Sequence, residues 1–366
     1  MSSRERDPLR LAILGYAGSL HVRRWVDFLT QRGHDVHLVT CGGSESVTEL
    51  DAERVHDLGT PRGGKLGYVA KVVPARAIVR RLRPDVVHVH TATSYGLLGL
   101  AGGARPLVLT AHGSDLLRTP RNPFIRPVVR RVLRAAALVT VPSEPMRKAA
   151  LALAAPAKPR LEVFQYGVES ERLARLAARW RNGESTGAEV RIVSARPLEP
   201  LYHVDALVSA VPHLRASGSS VRLDVYGQGS RRDLLQRRAR DEGVADIVSF
   251  HGNRPPEEVE EALARADIYV SVSESDGVSI ALLEAMALGA VPVVSAIEAN
   301  RLWIDDGVNG VLVTVDPVAI ADGIERARTL DPGAVARRNA ELVRARADRF
   351  TALLRFESLL YEVVGS

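Results

Sequence analysis

The chain has one cysteine, Cys41, so it offers no internal disulfide and reads as a protein of a reducing compartment. Its charged start, MSSRERDPLR, lacks the apolar core of a secretory leader, and no apolar run approaches the roughly 20 residues that span a bilayer. A cytoplasmic protein is expected, with any membrane contact peripheral. Lysine is confined to Lys65, Lys71, Lys148 and Lys158, which leaves nearly all positive charge to arginine. Zinc-ligand spacings and nucleic-acid motifs are missing, so neither a metal site nor a nucleic-acid partner is expected. The first glycine loop lacks Gly-x-Gly-x-x-Gly, which argues against a dinucleotide dehydrogenase.

What is present is an ordinary globular mixture, 46% apolar and 25% charged, in a 366-residue chain longer than one core usually organises. Two domains follow. Residues 1–168 carry 25 Lys and Arg against 13 Asp and Glu, a net +12, which leaves −6 for the remainder. Arg118, Arg121, Arg126, Arg130, Arg131 and Arg134 cluster in and before a helix expected from Pro127 to Ala137, with Arg126, Arg130 and Arg134 along one face. Such a face suits anionic lipid head groups at the inner membrane surface or a phosphorylated acceptor, and equally plain solvation in an arginine-biased sequence.

Leu9 to Leu14 is an apolar run ending in the loop Gly15-Tyr-Ala-Gly18-Ser19, after which Val22, Trp25, Val26 and Leu29 recur at helical spacing up to Gly33. Strands are expected at 36–40, 86–90, 107–110 and 138–141, with helices between them. From 169 to 189 the chain turns polar and arginine-rich and reads as an interdomain linker. A second alternation has strands at 190–194, 221–226, 247–250, 268–272 and 291–295. The expected class is α/β: two doubly wound, Rossmann-like domains, 1–168 and 190–349, facing across a cleft, with a C-terminal helix at 350–366 packing back on the first domain. Ligands in such sheets sit beyond the carboxyl ends of the strands.

The segment Ser271-Val-Ser-Glu-Ser-Asp276-Gly277-Val-Ser-Ile-Ala-Leu-Leu-Glu284-Ala-Met-Ala resembles the signature of glycosyltransferase family 4, retaining enzymes of the GT-B fold. Gly33-His34-Asp-Val, Asp85-Val-Val-His-Val-His90, His112-Gly-Ser-Asp115, Tyr166-Gly-Val-Glu169 and Phe250-His-Gly252 resemble further landmarks of that family, in order along nearly the whole chain. The family usually shows two glutamates eight positions apart; here Asp276 holds the first place and Glu284 the second. The resemblance implies a nucleoside-diphosphate sugar as donor, no metal and no cofactor, which accords with the lack of any Asp-x-Asp pair. The acceptor is left open among lipid-linked saccharides, natural products and small polyols. A sugar-nucleotide 2-epimerase of the same architecture, or a non-catalytic sugar-nucleotide-binding subunit, is the alternative.

The residues make chemical sense in these roles. Ser279 to Ala287 has the composition of a helix whose start offers the backbone of Gly277, Val278, Ser279 and Ile280 to a diphosphate. Glu284, just over one turn in, can accept ribose hydroxyls, and Asp276, or alternatively Glu274, addresses the sugar. Arg196 takes the place of a phosphate-binding arginine. The lysine expected five residues later is missing because position 201 is leucine, which leaves Tyr202, His203 or Arg301 as its substitute. Gly227 and Gly229 would let backbone approach a nucleotide or simply form a turn. By resemblance His112 contacts the donor sugar as a catalytic residue, with Asp115 to orient it. Gly18, Ser19, His21, His90 and Asp115 are candidate phosphate or acceptor contacts, although a tight strand-to-helix turn explains the glycine loop equally well and His21 also reads as a solvated helix residue. His88 and His90 share one strand face, and one of them also reads as a satisfied core histidine.

Overall fold

The computed structural model describes residues 7–365 apart from 49, 104–105, 118–119, 121, 164 and 182–188. Arg118, Arg121 and the end of the expected linker therefore lie outside the described residues. The chain divides into two compact units, Met1–Tyr166 with Thr351–Ser366, and Gly167–Phe350.

The first unit holds strands β1 (Arg10–Leu14), β2 (Asp35–Thr40), β3 (Val55–Asp57), β4 (Val86–His90), β5 (Leu107–Thr110), β6 (Leu138–Val141) and β7 (Leu161–Val163) in the order β3-β2-β1-β4-β5-β6-β7. The second holds β8 (Val190–Ala195), β9 (Val221–Tyr226), β10 (Val248–Gly252), β11 (Ile268–Ser271), β12 (Val291–Ser295) and β13 (Val311–Val313) in the order β10-β9-β8-β11-β12-β13. The pairings are parallel throughout. Each chain segment builds outward from its first strand and then returns to build the other half. A topological switch point results beside β1 and β4, and another beside β8 and β11.

Both sheets are covered on both faces, which is why their central strands are mostly apolar; every residue of β4 is buried, its two histidines included. Leu11 and Ile13 of β1 pack with Trp25, Leu29 and Phe356, while Ala12 and Leu14 pack with Val79, Leu98 and Val132 on the opposite face. The second unit repeats the scheme, with Ile192 and Val270 against Leu207 and Ile324, and Val193 and Tyr269 against Leu263, Leu282 and Val343. Phe356, on the last helix Arg349–Val364, is 0% exposed, with its ring centroid 4.1 Å from that of Trp25.

The structure differs from the sequence reading in two respects. β3, β7 and β13 were not expected; each has only three residues and lies at a sheet edge, too short a run to stand out even in β13, where all three are apolar. The first twelve or so residues of the expected linker form the helix Ser170–Arg181. Leu173, Leu176, Ala177 and Trp180 recur at helical spacing among its charges and pack into the second unit's core.

Candidate functional site

In the second unit Arg196 follows the end of β8 and stands at the switch point. Its side chain is 9% exposed; Nη2 donates to Asp276 Oδ2 at 2.5 Å and Nη1 to Ser279 Oγ at 2.6 Å. Ser279 is also the cap of the helix Ile280–Leu288, accepting from the Leu282 N–H at 3.2 Å. Asp276 Oδ1 accepts from the Gly277 N–H at 2.8 Å. Burial opposes the charge on Arg196, but Asp276 and the oxygens of Tyr269 and Tyr202 outweigh it and hold the guanidinium pKa above its ordinary value. The sequence assigned Arg196, Asp276, Gly277, Val278, Ser279, Ile280 and Glu284 to one ligand; the structure joins Arg196 directly to Asp276 and Ser279.

Of the substitutes for the absent lysine, Tyr202 packs its ring 4.4 Å from the Arg196 guanidinium. His203 instead faces Glu274 at 3.8 Å, and Glu274 is 73% exposed. Arg301 donates to its own segment, at the Ala296 carbonyl, 3.2 Å away.

Gly227 and Gly229 have a more definite role than the nucleotide approach expected of them. A Cβ on Gly227 would stand 2.2 Å from the Arg196 carbonyl oxygen, and one on Gly229 2.3 Å from that of Leu198. What occupies the vacated space is the backbone that carries Arg196, so these glycines seat the arginine loop. Glu284 is half-buried and lies within electrostatic reach of Arg349, a partner the sequence reading missed. Burial lowers the Arg349 pKa, with Glu169 and Glu284 opposing, and Arg349 Nη1 donates to Glu169 Oε1 at 2.8 Å.

In the first unit β4 and β5 bring His90 and His112 together, Nδ1 to Nε2 at 3.0 Å. The rings of His21 and Tyr166 lie 5.5 and 5.4 Å from that of His112. His88 is the core histidine: its Nε2 meets Thr110 Oγ1 at 2.8 Å, and its ring packs 5.3 Å from Trp25 and 4.9 Å from Phe356. Burial pushes the pKa of His112 down to about 4 and that of His88 down to about 3.

Asp115 does not orient the His112 ring. Its Oδ1 accepts from the backbone N–H groups of His112 and Gly113, at 3.0 and 2.9 Å, and its Oδ2 from that of Ala92 at 2.8 Å. The carboxylate is 3% exposed, so it braces the loop from within and is not presented as a phosphate or acceptor contact. Gly18 and Ser19 precede the helix Leu20–Gln31, in a loop seated on the end of β2 by the Ala17 N–H, which donates to Thr40 Oγ1 at 3.0 Å. His21 lies in the first turn of that helix, half-buried.

This arrangement, an arginine and a capped helix start at the switch point of a parallel sheet, is suited to a phosphorylated nucleotide. A model described as Glycosyl transferase 4-like matches residues 10–143, and one described as Glycosyl transferases group 1 matches residues 177–340. The chain belongs to the group 1 glycosyltransferases. This family member is 31% identical over 242 residues to the GDP-mannose-dependent alpha-(1-6)-phosphatidylinositol monomannoside mannosyltransferase of Mycolicibacterium smegmatis, covering 62% of this chain and 63% of that one. It is 31% identical over 135 residues to the GtfA subunit of the UDP-N-acetylglucosamine–peptide N-acetylglucosaminyltransferase of Streptococcus gordonii, covering 36% of this chain and 26% of the relative. The chain thus spans less than two thirds of the length of either relative. Anabaena HepE, solved with UDP and glucose, superposes with a TM-score of 0.77 at 17% identity, covering 97% of this chain and all of that one. At that identity the likeness shows the fold, GT-B.

Proposed function

We propose that this group 1 family member transfers a sugar from a nucleoside-diphosphate donor to an acceptor hydroxyl, with retention at the anomeric carbon and without a metal ion. The observation that carries the reading is the junction of Arg196, Asp276 and the capped start of the helix Ile280–Leu288 at the second switch point. Arg196 and the helix start take the diphosphate, Glu284 the ribose hydroxyls, and Asp276 the sugar. His112 contributes a neutral imidazole to a sugar hydroxyl. As the bond from the anomeric carbon to the phosphate oxygen breaks, the acceptor oxygen bonds to that carbon from the same face and its proton passes to the leaving phosphate. The residues contribute positioning and charge stabilisation, so no protein nucleophile is needed. The relatives' names include both GDP-mannose and UDP-linked sugars. A thermal-shift screen of UDP, GDP and ADP sugars tests the reading, because a bound donor stabilises the folded state by mass action. No shift with any of them would count against it, and acceptor-free conversion of the donor sugar would favour the epimerase.

A peripheral contact at the inner membrane face is a second reading, favoured by Phe124, 86% exposed beside a pocket of about 810 Å³ lined by Arg126, Arg130, Arg131 and Arg134 with three prolines. Arg130 and Arg134 are partly committed elsewhere: they donate to the Ala155 and Ala154 carbonyls at 3.1 and 2.8 Å, capping the end of the helix Glu144–Ala154. Docking then rests chiefly on Phe124, Arg126 and Arg131. No helix among the described residues is long and apolar enough to cross a membrane. Co-sedimentation with phosphatidylglycerol vesicles at low salt, lost at high salt, is the expected result. Equal sedimentation with phosphatidylcholine alone would contradict it.

A further inference from the structure

We infer that His90 is a positioning residue that holds His112 in a single neutral tautomer, with the His112 proton on Nδ1, so that this N–H is the donor presented to the transferred sugar. The inference deepens the role given to His112 above and rests on it. It starts from the strand. The two-residue repeat of β4 puts His88 and His90 on one face; His88 ends on Thr110 of β5, and His90, one step further, ends on His112 just beyond β5. The contact, Nδ1 to Nε2 at 3.0 Å, is a hydrogen bond and holds one proton between two rings.

Among the described residues no carboxylate acts on either ring. His90 is bordered by His88 and Trp25, with ring centroids 4.5 and 6.0 Å away, and His112 by His21 and Tyr166 at 5.5 and 5.4 Å. Asp115 accepts only backbone N–H groups in its hydrogen bonds to this loop. Burial disfavours the doubly protonated form of both rings, so both are neutral near pH 7. Two arrangements remain. If His112 donated from Nε2, a neutral His90 would carry its own proton on Nε2, an atom that is buried without a hydrogen-bond partner. If His90 donates from Nδ1, the same buried atom is a bare acceptor. Orphaned buried N–H groups are the rarer defect, which selects the second arrangement. His112 then accepts at Nε2, and Nδ1–H is the group left for a ligand.

The test reads the tautomer directly. In a two-bond proton–nitrogen spectrum of the ¹⁵N-histidine-labelled full chain near pH 7, His112, assigned by the signal lost in His112→Gln, should show a protonated Nδ1 and a bare Nε2. A proton on Nε2 overturns the inference whether or not the protein is active. Asparagine carries an amide N–H where histidine carries Nδ1–H, so His90→Asn should keep the pattern and His90→Leu should leave His112 averaging over both tautomers. An unchanged pattern in His90→Leu also overturns it. Nucleoside diphosphate release from UDP-glucose, UDP-N-acetylglucosamine or GDP-mannose supplies the second readout. Its kcat should fall roughly tenfold or more in His90→Leu with KM little changed, and recover in His90→Asn. A His90→Asn variant no faster than His90→Leu would count against positioning. If His112→Ala leaves release unaffected while the wild-type spectrum is as expected, the sugar contact of His112 fails and the tautomer assignment stands.

Discussion

The Nη2 atom of Arg196 stands 2.5 Å from Asp276 Oδ2 although 80 residues separate the two in the chain. They meet because β8 and β11 are hydrogen-bonded neighbours and each releases its following loop at the same edge of the sheet. Asp276 therefore neutralises Arg196 in this structure, and on the proposed function a diphosphate would share the guanidinium with it.

Arg196→Ala should weaken binding of a nucleoside diphosphate by about 1.5–3 kcal/mol, the range for a hydrogen bond to a charged group, read by titration calorimetry. Asp276→Asn removes the competing carboxylate. It should leave diphosphate affinity equal or higher while turnover falls, and an affinity loss as large as that of Arg196→Ala would refute the division of roles.

Glu284→Gln keeps the shape of the side chain and removes the charge that favours two ribose hydroxyls. Donor affinity should fall by about 1 kcal/mol or more, with a smaller loss for the corresponding 2′-deoxy nucleotide. Equal losses for ribose and deoxyribose would place Glu284 elsewhere.

Gly227→Ala tests the arginine loop. The new Cβ meets the Arg196 carbonyl at 2.2 Å in a backbone with φ of +132°, so the loop must move and ligand-induced thermal stabilisation should shrink. Gly33→Ala is the control: φ is +86° but nothing lies within 4 Å, so it should cost about 1 kcal/mol of stability and leave ligand binding intact.

Phe356→Ala should destabilise the first unit by about 3–5 kcal/mol in urea unfolding, because the ring is 0% exposed and lies against Trp25 and His88. A loss below about 1 kcal/mol would mean that the last helix is not integral to that core.

Stability should fall with acid before the carboxylates titrate. His88 is 1% exposed and its folded pKa is depressed to about 3, below the ordinary value of 6.5. The unfolded chain then binds the proton first, so stability is full above pH 6.5 and declines below it by up to about 1.4 kcal/mol per pH unit for this histidine. Urea midpoints from pH 7.5 to 5 should show the slope, flattened in His88→Asn; an identical slope in that variant would assign the effect to other groups.

Central strands such as β1, β4 and β8 were legible because burial on both faces keeps them mostly apolar, broken by His88 and His90 in β4 and by Arg191 and Ser194 in β8, and the site loops because parallel strands deliver them to one edge. The helix Ser170–Arg181 was passed over because its four arginines are interleaved with its four core positions, so the stretch reads as polar unless the helical spacing of Leu173, Leu176, Ala177 and Trp180 is followed.

By itself the sequence determined the residue types and their distance from a strand end: Arg196 after β8, Asp276 to Glu284 after β11, His112 after β5. Local propensity and the strand and helix periods act over a few residues, and that is as far as they reach. Which loops become neighbours depends on sheet order, and β8 lies between β9 and β11 only because the chain reverses its direction of building. Tertiary structure alone therefore decided that Arg196 pairs with Asp276, that His90 rather than Asp115 reaches the His112 ring, and that Gly227 and Gly229 make room for backbone. Each is a contact between segments far apart in sequence, fixed by packing two covered sheet faces.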